Sequence, residues 1–215
     1  MNKDETRAFY DEMAEKMAKD WYENDILNPS LIEFIGLLKN KKPRILDLGC
    51  GTGHESMRMA KLGADVLGID FSKENIKLAN QMFKGGQFKL MDFRNIDSNI
   101  GMFDGVFACA ALVHVSSTEL PDLLKRIANI LNDNGYLGII IREGTGIDKE
   151  WSKVKLDEKE FIRPFYLHEK NGIDKILAEQ NVFFSKEGYL ADDFIKYKWR
   201  FFIYHKQDGL SQKDI

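Results

Sequence analysis

ILDLGCGTGHES, Ile45–Ser56, decides the reading of this chain. Gly49, Gly51 and Gly53 alternate directly after an apolar run. Where a strand must turn sharply into a helix, glycine accepts positive φ and brings no Cβ toward a ligand. The three glycines therefore predict a smooth backbone surface beside a helix N-terminus, where open α/β sheets bind their ligands. A dinucleotide loop of the form GxGxxG, counted from Gly49, needs its third glycine at position 54. His54 stands there, and the glycine is at 53. Asp47, two residues before the loop, would repel a pyrophosphate yet accept from a ligand amine. The loop favours a ligand without pyrophosphate and with a cationic part.

Outward from the loop, strands and helices alternate. RILDLG reads as a buried strand, and the loop opens a helix carrying Met57, Ala60 and Leu62. Asp65 to Asp70 is a second strand, Ser72 caps a helix running to about Phe83, and Gln87 to Met91 is a third strand. Phe103 to Ala110 is a fourth. Pro121 belongs in a first helical turn, which places a cap near Thr118. Leu120, Leu123, Leu124, Ile127 and Leu131 line that helix, NDNG (132–135) ends it, and YLGIII is a fifth strand. These strands are apolar runs rather than strict alternations, as expected where helices cover both faces of a parallel sheet. The fold class is α/β.

Before the loop, Phe9, Tyr10, Met13, Ala14 and Met17 recur at helical spacing. A second helix is expected from Asn28 as cap, with Pro29 in its first turn and Leu31, Ile32, Ile35 and Leu38 on its apolar face. After the fifth strand, Gly144 to Arg163 is charged and weakly periodic, a loop or small insertion near the ligand edge. Tyr166 to Gln180 reads as a helix. Val182 to Tyr189 and Tyr197 to His205 are strand-like and too close for a helical crossover, so they should pair antiparallel. The expected division is a helical lid or extension over 1–42, a main domain over 43–207 with the insertion at 144–163, and a frayed tail over 208–215.

The 215 residues suffice for one sizeable core, with 44% apolar and 30% charged residues. A formal net charge of −3 with no clear basic block gives no reason to expect a nucleic acid partner. Cys50 and Cys109 are the only cysteines, too few for a disulfide scaffold. The charged start MNKDETRAFYDEMAEK is not a secretory signal, and no apolar run approaches the roughly 20 residues of a membrane span. A cytoplasmic location, with no membrane association, is the expectation. Monomer and homodimer both stay open.

Two acids complete the ligand edge. Asp70 ends the second strand, where a carboxylate can accept from both ribose hydroxyls. Asp92 ends the third, placed to face an adenine amino group with Met91 or Phe93 against the ring.

With these motifs in line, Ala8 to His205 resembles a class I S-adenosylmethionine-dependent methyltransferase. ILDLGCGTG resembles the family's first motif, VLGIDFS its ribose motif and LMDF its adenine-side motif. FDGVFACAALVHVSSTELPDLLKRIANILNDNGYLGIII resembles its fourth strand, helix and fifth strand. CAALVHV and REGTG resemble a subgroup of small bacterial enzymes acting on small molecules. The resemblance implies a Rossmann-like, doubly wound, seven-stranded, mostly parallel sheet with an antiparallel last strand and N-terminal lid helices.

Carried over, it puts Asp47 near the methionine part of S-adenosylmethionine and gives Gly49, Cys50, Gly51 and Gly53 to the loop contacts. It puts Asp70 on the ribose with Phe71 near adenine, Asp92 on the adenine amino group with Phe93 close, and Ala110 and Ala111 beside the cofactor. Tyr10 matches the tyrosine of a lid helix. Where such lids offer a second aromatic this chain has Met17, with Trp21 or Tyr22 as substitutes. The implied activity is methyl transfer to a small polar or aromatic molecule, mainly by placement and exclusion of water.

His114 is the candidate general base, against a purely structural role in the ALVHV turn. His54 can reach polar cofactor atoms or solvent, and Glu55 suits a helix start. Arg142, Glu143, Arg163 and Tyr166 are candidates for the substrate side, and Trp151 for closing over it. Trp199 reads as core. His168, His205 and the cysteines give no metal spacing, so no metal is expected. A nonenzymatic protein that binds S-adenosylmethionine or S-adenosylhomocysteine, and an NAD-dependent oxidoreductase, are the alternatives.

Overall fold

The structure, a computed structural model, describes residues 3–156 and 158–208. Helices α1 (Lys3–Tyr22) and α2 (Asn28–Gly36) precede strand β1 (Arg44–Leu48). Then follow α3 (His54–Lys61), β2 (Asp65–Asp70), α4 (Lys73–Met82), β3 (Gln87–Leu90), β4 (Phe103–Cys109), α5 (Leu120–Ile130) and β5 (Leu131–Arg142). The last part holds α6 (Lys149–Ser152), β6 (Lys153–Leu156), β7 (Lys159–Ile162), α7 (Lys170–Ala178), β8 (Val182–Glu187), α8 (Asp192–Lys196) and β9 (Trp199–Lys206).

Seven strands form one sheet in the order β3-β2-β1-β4-β5-β9-β8. The first five are parallel, and β9 runs antiparallel between β5 and β8. This is the doubly wound, seven-stranded architecture with N-terminal helices that the sequence predicts. Side chains alternate across a strand, so neighbours such as Ile45 and Leu46 enter opposite layers. Leu46, Ile69, Val106 and Ile139 pack with Leu124 and Ile127 of α5 and Leu177 of α7. Ile45, Val66, Phe107 and Ile140 pack with Leu31 and Phe34 of α2 and Met59 of α3. Both faces are covered, which is why the strands read as unbroken apolar runs.

Several local expectations are corrected. Asn28 is the first residue of α2, whose cap is Leu27 with no side-chain capping bond, and Ile32 points to solvent at 57% exposure. In α3 the fully buried residue is Met59, while Leu62 lies exposed beyond its end. The entry to α5 is fixed from Ser116 rather than Thr118: Leu120 N donates to Ser116 O at 2.9 Å, and Ser116 Oγ donates to Glu119 Oε2 at 2.8 Å. Helix α7 starts at Lys170, because Tyr166 and His168 are held in isolated bridges to Ile147 and Glu143. The charged stretch 144–163 is more ordered than a loop, with β6 and β7 forming a separate antiparallel hairpin. The frayed tail expected over 208–215 lies, but for Asp208, outside the described residues.

Candidate active site

The glycine loop is tied to the end of β2. Gly49 N and Cys50 N both donate to Ile69 O at 2.9 Å. Gly51 N donates to Asp70 Oδ2 at 3.0 Å, while Asp70 Oδ1 accepts from Ser72 N at 2.8 Å and Asn75 Nδ2 at 3.4 Å. Asp70 thus joins the loop to the start of α4. Burial pushes its carboxyl up to about 6 even against these donors. Asp47 accepts from Ser56 Oγ at 2.5 Å; burial, with Glu55 nearby, pushes it up to about 7.

Gly51 is buried and lines a cavity, yet a Cβ built on it meets nothing within 4 Å. The loop therefore leaves a space that only an absent side chain keeps open. Two buried oxygens on cavity-lining residues have no hydrogen-bond partner: Asn75 Oδ1, and Glu55 Oε1, whose nearest cation is Arg58 NH1 at 3.6 Å. The unmet need is for donors such as ligand hydroxyls and amines, and the neighbouring carboxylates oppose phosphate.

Helix α1 roofs this cavity. Asp11 Oδ1 accepts from Ser72 Oγ at 2.6 Å and Glu74 N at 3.2 Å, at the start of α4. On the other side α1 meets the β6–β7 hairpin: Glu5 accepts from Ile162 N, Lys159 pairs with Glu12, and Phe9 meets Phe161 edge-on. Its C-terminus is pinned by Arg58, whose NH2 donates to the carbonyls of Trp21, Tyr22 and Asn24 at 2.7, 3.1 and 2.5 Å. Tyr22 Oη donates to Thr52 O at 2.7 Å, and burial pushes that phenol up to about 12, so it keeps its proton. His54 contacts Glu55 and stacks under Trp21, with ring planes 13° apart.

The cavity beneath encloses about 430 Å³. One end is the loop with Asp70, Phe71, Asn75 and Phe93; the other runs past Cys109 and Ala110 to Trp151, Phe165 and Trp199. Ala110 is in the left-handed region at φ 53°, so the chain leaves β4 one residue earlier than expected and turns along the cavity wall.

Residues 45–135 match a family model described as a methyltransferase domain. The YqeM protein of Bacillus subtilis (strain 168) is 36% identical over 102 residues, covering 45% of this chain and 41% of that protein. The ubiquinone biosynthesis O-methyltransferase of Xanthomonas axonopodis pv. citri (strain 306) is 30% identical over 134 residues, covering 56% of this chain and 55% of that one. Over residues 45–135 the chain is therefore similar to methyltransferase domains. It spans about two fifths to three fifths of the length of the first curated relatives it matches. The fold extends further than the sequence match. The magnesium protoporphyrin IX methyltransferase of Synechocystis PCC 6803 superposes with a TM-score of 0.72 at 17% identity, covering 96% of this chain and 99% of that one.

The cavity gathers Tyr10, Gly49, Cys50, Gly51, Asp70, Phe71, Phe93, Ala110, Ala111 and His114 from the residues singled out in the sequence. Asp47, Gly53 and Asp92 do not line it. Asp47 is covered by Ser56, Gly53 backs onto Phe88 and Ala79, and Asp92 is held by Arg94 at 3.0 and 3.2 Å. Of the four substrate-side candidates Arg163 reaches the wall, whereas Arg142 pairs with Asp148, Glu143 with Arg200, and Tyr166 N donates to Val113 O. Trp151 and Trp199 both line the cavity. Phe165, Phe194 and Asn24, which sequence reasoning missed, join them. Among the described residues no group of three or more His, Cys, Asp or Glu is placed to hold a metal ion.

His114 sits in a chain of hydrogen bonds. Its Nδ1 donates to Pro164 O at 3.0 Å, because a carbonyl can only accept. Nε2 then accepts from Tyr10 Oη at 2.7 Å, and Tyr10 Oη accepts from Arg163 NH1 at 3.2 Å. Burial, then the Arg163 charge, push His114 down to about 3. Its basic nitrogen is neutral but already used.

The shift has a consequence for stability. His114 is neutral in the fold, while the unfolded chain takes up this proton below about 6.5. The residue therefore lowers stability progressively as pH falls from about 6.5 toward 3. Asp47 and Asp70, raised in the fold, act oppositely and add stability as pH falls from about 7 toward 4. Relative to the wild type, His114→Gln should gain roughly 2–3 kcal/mol between pH 7 and pH 4.5, read from urea unfolding at both values.

Proposed function

We propose that this protein binds S-adenosylmethionine and transfers its methyl group to a small-molecule acceptor, releasing S-adenosylhomocysteine. The Gly51 space beside Asp70 carries the reading, with buried acceptors on one side and the aromatic chamber on the other. The bound cofactor supplies an electrophilic methyl on a sulfonium, with a neutral thioether as leaving group. This chain's residues bind, orient and exclude water. Asp70 and Asn75 offer oxygens to ribose hydroxyls, and Phe71 and Phe93 offer apolar surface to the adenine. Asp47 and Glu55 put negative charge beside the aminoacyl end. Tyr10 and α1 roof the site.

His114, held between Tyr10 and Pro164, acts as a latch for the roof rather than as a general base. The acceptor atom therefore arrives unprotonated or loses its proton to solvent. Residues 1–42 serve as lid, 43–207 as the transfer domain, and 144–163 as an insertion that backs the lid. Cys50 and Cys109 are free thiols, which supports a cytoplasmic placement. No helix among the described residues is long and apolar enough to cross a membrane.

Calorimetric titration with S-adenosylmethionine, S-adenosylhomocysteine and NAD(H) tests the reading. Both adenosyl compounds should bind at micromolar concentration and NAD(H) should not; the reverse pattern would make the protein an oxidoreductase. Tight binding without transfer to any acceptor class would make it a sensor. The same titration has a second readout. Asp47 stands behind Ser56 rather than on the cavity wall, so a ligand ammonium at the loop end acts on it through space and favours its ionised form; binding at pH 7 should release up to about half a proton. The apparent enthalpy should then differ between phosphate and Tris buffers, and Asp47→Asn should remove the difference.

A further inference from the structure

The chamber at the far end of the cavity is walled by Trp151, Phe165, Phe194, Tyr197 and Trp199. Its rings meet edge-on or tilted: Phe165 and Trp199 lie 5.9 Å apart at 89°, and Trp151 and Phe165 lie 5.5 Å apart at 51°. Such a wall offers ring faces to a flat molecule. It also resembles the cages that hold cations, and the charges around it decide between the two.

Two arginines already use these faces. The Arg142 guanidinium lies 4.8 Å from the Trp151 ring centre and is neutralised by Asp148 at 2.6 Å. The Arg163 guanidinium lies 5.6 Å from the Phe165 ring centre and 4.6 Å from that of Phe9. Among the described residues Arg163 has no carboxylate partner. Its NH1 goes to Tyr10 Oη at 3.2 Å, and its buried Nε has no hydrogen-bond partner. A guanidinium that lines a cavity unpaired invites an anion, since its fork of donors matches a carboxylate. The carboxylates on the same cavity are placed otherwise. Glu55 and Asp70 belong to the loop end, engaged by His54 and by backbone N–H groups. Asp193 is exposed, where solvent screens it.

We infer, resting on the methyl-transfer reading above, that the acceptor is a planar aromatic anion: its ring enters the chamber and its carboxylate or equivalent oxyanion pairs with Arg163. Arg163 is then a specificity-determining residue, and a cationic acceptor of the same shape is rejected.

One ring with three charges tests this. The full chain is first titrated with S-adenosylhomocysteine. Failure to bind would overturn the methyl-transfer reading, and with it the inference built on it. The saturated protein is then titrated with 2-naphthoate, 2-naphthamide and 2-naphthylmethylammonium. The expected result is that naphthoate binds at least about tenfold more tightly than the amide, with the cation weakest. In Arg163→Met that preference should fall below about threefold, and Arg163→Lys should keep part of it. Equal affinities across the series, tightest binding of the cation, or no binding of any of the three to protein that binds S-adenosylhomocysteine would overturn the proposal and leave methyl transfer standing. The wild-type series alone decides the charge preference should either variant fail to fold.

Discussion

Gly51→Val should reduce S-adenosylmethionine affinity by at least about 100-fold while leaving a folded protein. The side chain would enter the cavity, where its Cβ has no protein atom within 4 Å, so the steric cost falls on the ligand. The fold bears chiefly the strain of φ +53° at a branched residue, about 1–2 kcal/mol. Gly53→Val, two residues on, should do the opposite. Its Cβ would meet Phe88 at 2.7 Å and Ala79 Cβ at 3.0 Å, with φ at +83°. Overpacking and strain together should cost roughly 2–4 kcal/mol. Thermal melting beside calorimetry on both variants separates the roles: one glycine gives space to a ligand, the other to the fold. Equal loss of binding and stability in the two would mean that Gly51 does not face the ligand.

Asp70→Ala should lose on both counts. Its carboxylate satisfies the buried Gly51 and Ser72 N–H groups, and removing it strands two backbone donors at about 1–3 kcal/mol each. Part of that is returned, because burial disfavours the ionised carboxylate in the wild type. A net destabilisation of roughly 2–4 kcal/mol is expected by urea unfolding at pH 7. Affinity should fall beyond about 100-fold, as the loop loses its tether and the ribose its acceptor. Unchanged affinity in a folded Asp70→Ala protein would remove this carboxylate from the site.

Some of this site was legible from residue order alone. The run before Gly49, the three glycines, Asp70 at a strand's end and the closely spaced C-terminal strands are local signals, and each leads to an element that exists. What escaped depends on contacts distant in sequence. Phe165 and Phe194 read as ordinary apolar residues until β9 brings Trp199 beside them. The β6–β7 hairpin hid because KVKL and KEFI are short and charged, and the contact that seats them, Phe161 against Phe9 of α1, spans most of the chain. Asn28 looked like a cap, yet Asn28 N is already bonded to Asp25 O, so the helical turn begins one residue sooner. Asp92 has the position of an adenine contact, but Arg94, two residues on, competes for its carboxylate. The ALVHV turn leaves His114 open as a base or a structural residue, because its hydrogen-bond partners, Tyr10 and Pro164, lie 104 and 50 residues away.

The place of β9 also bears on how the chain is made. During synthesis the outer edge of β5, Tyr136–Arg142, leaves the ribosome well before Trp199–Lys206, the strand that covers it. At about 5–20 residues per second that interval lasts roughly 3–12 s. Through it an apolar edge with unpaired N–H and C=O groups stands open to other nascent chains. A chaperone that shields extended apolar segments would therefore matter most to this protein in the seconds before β9 emerges.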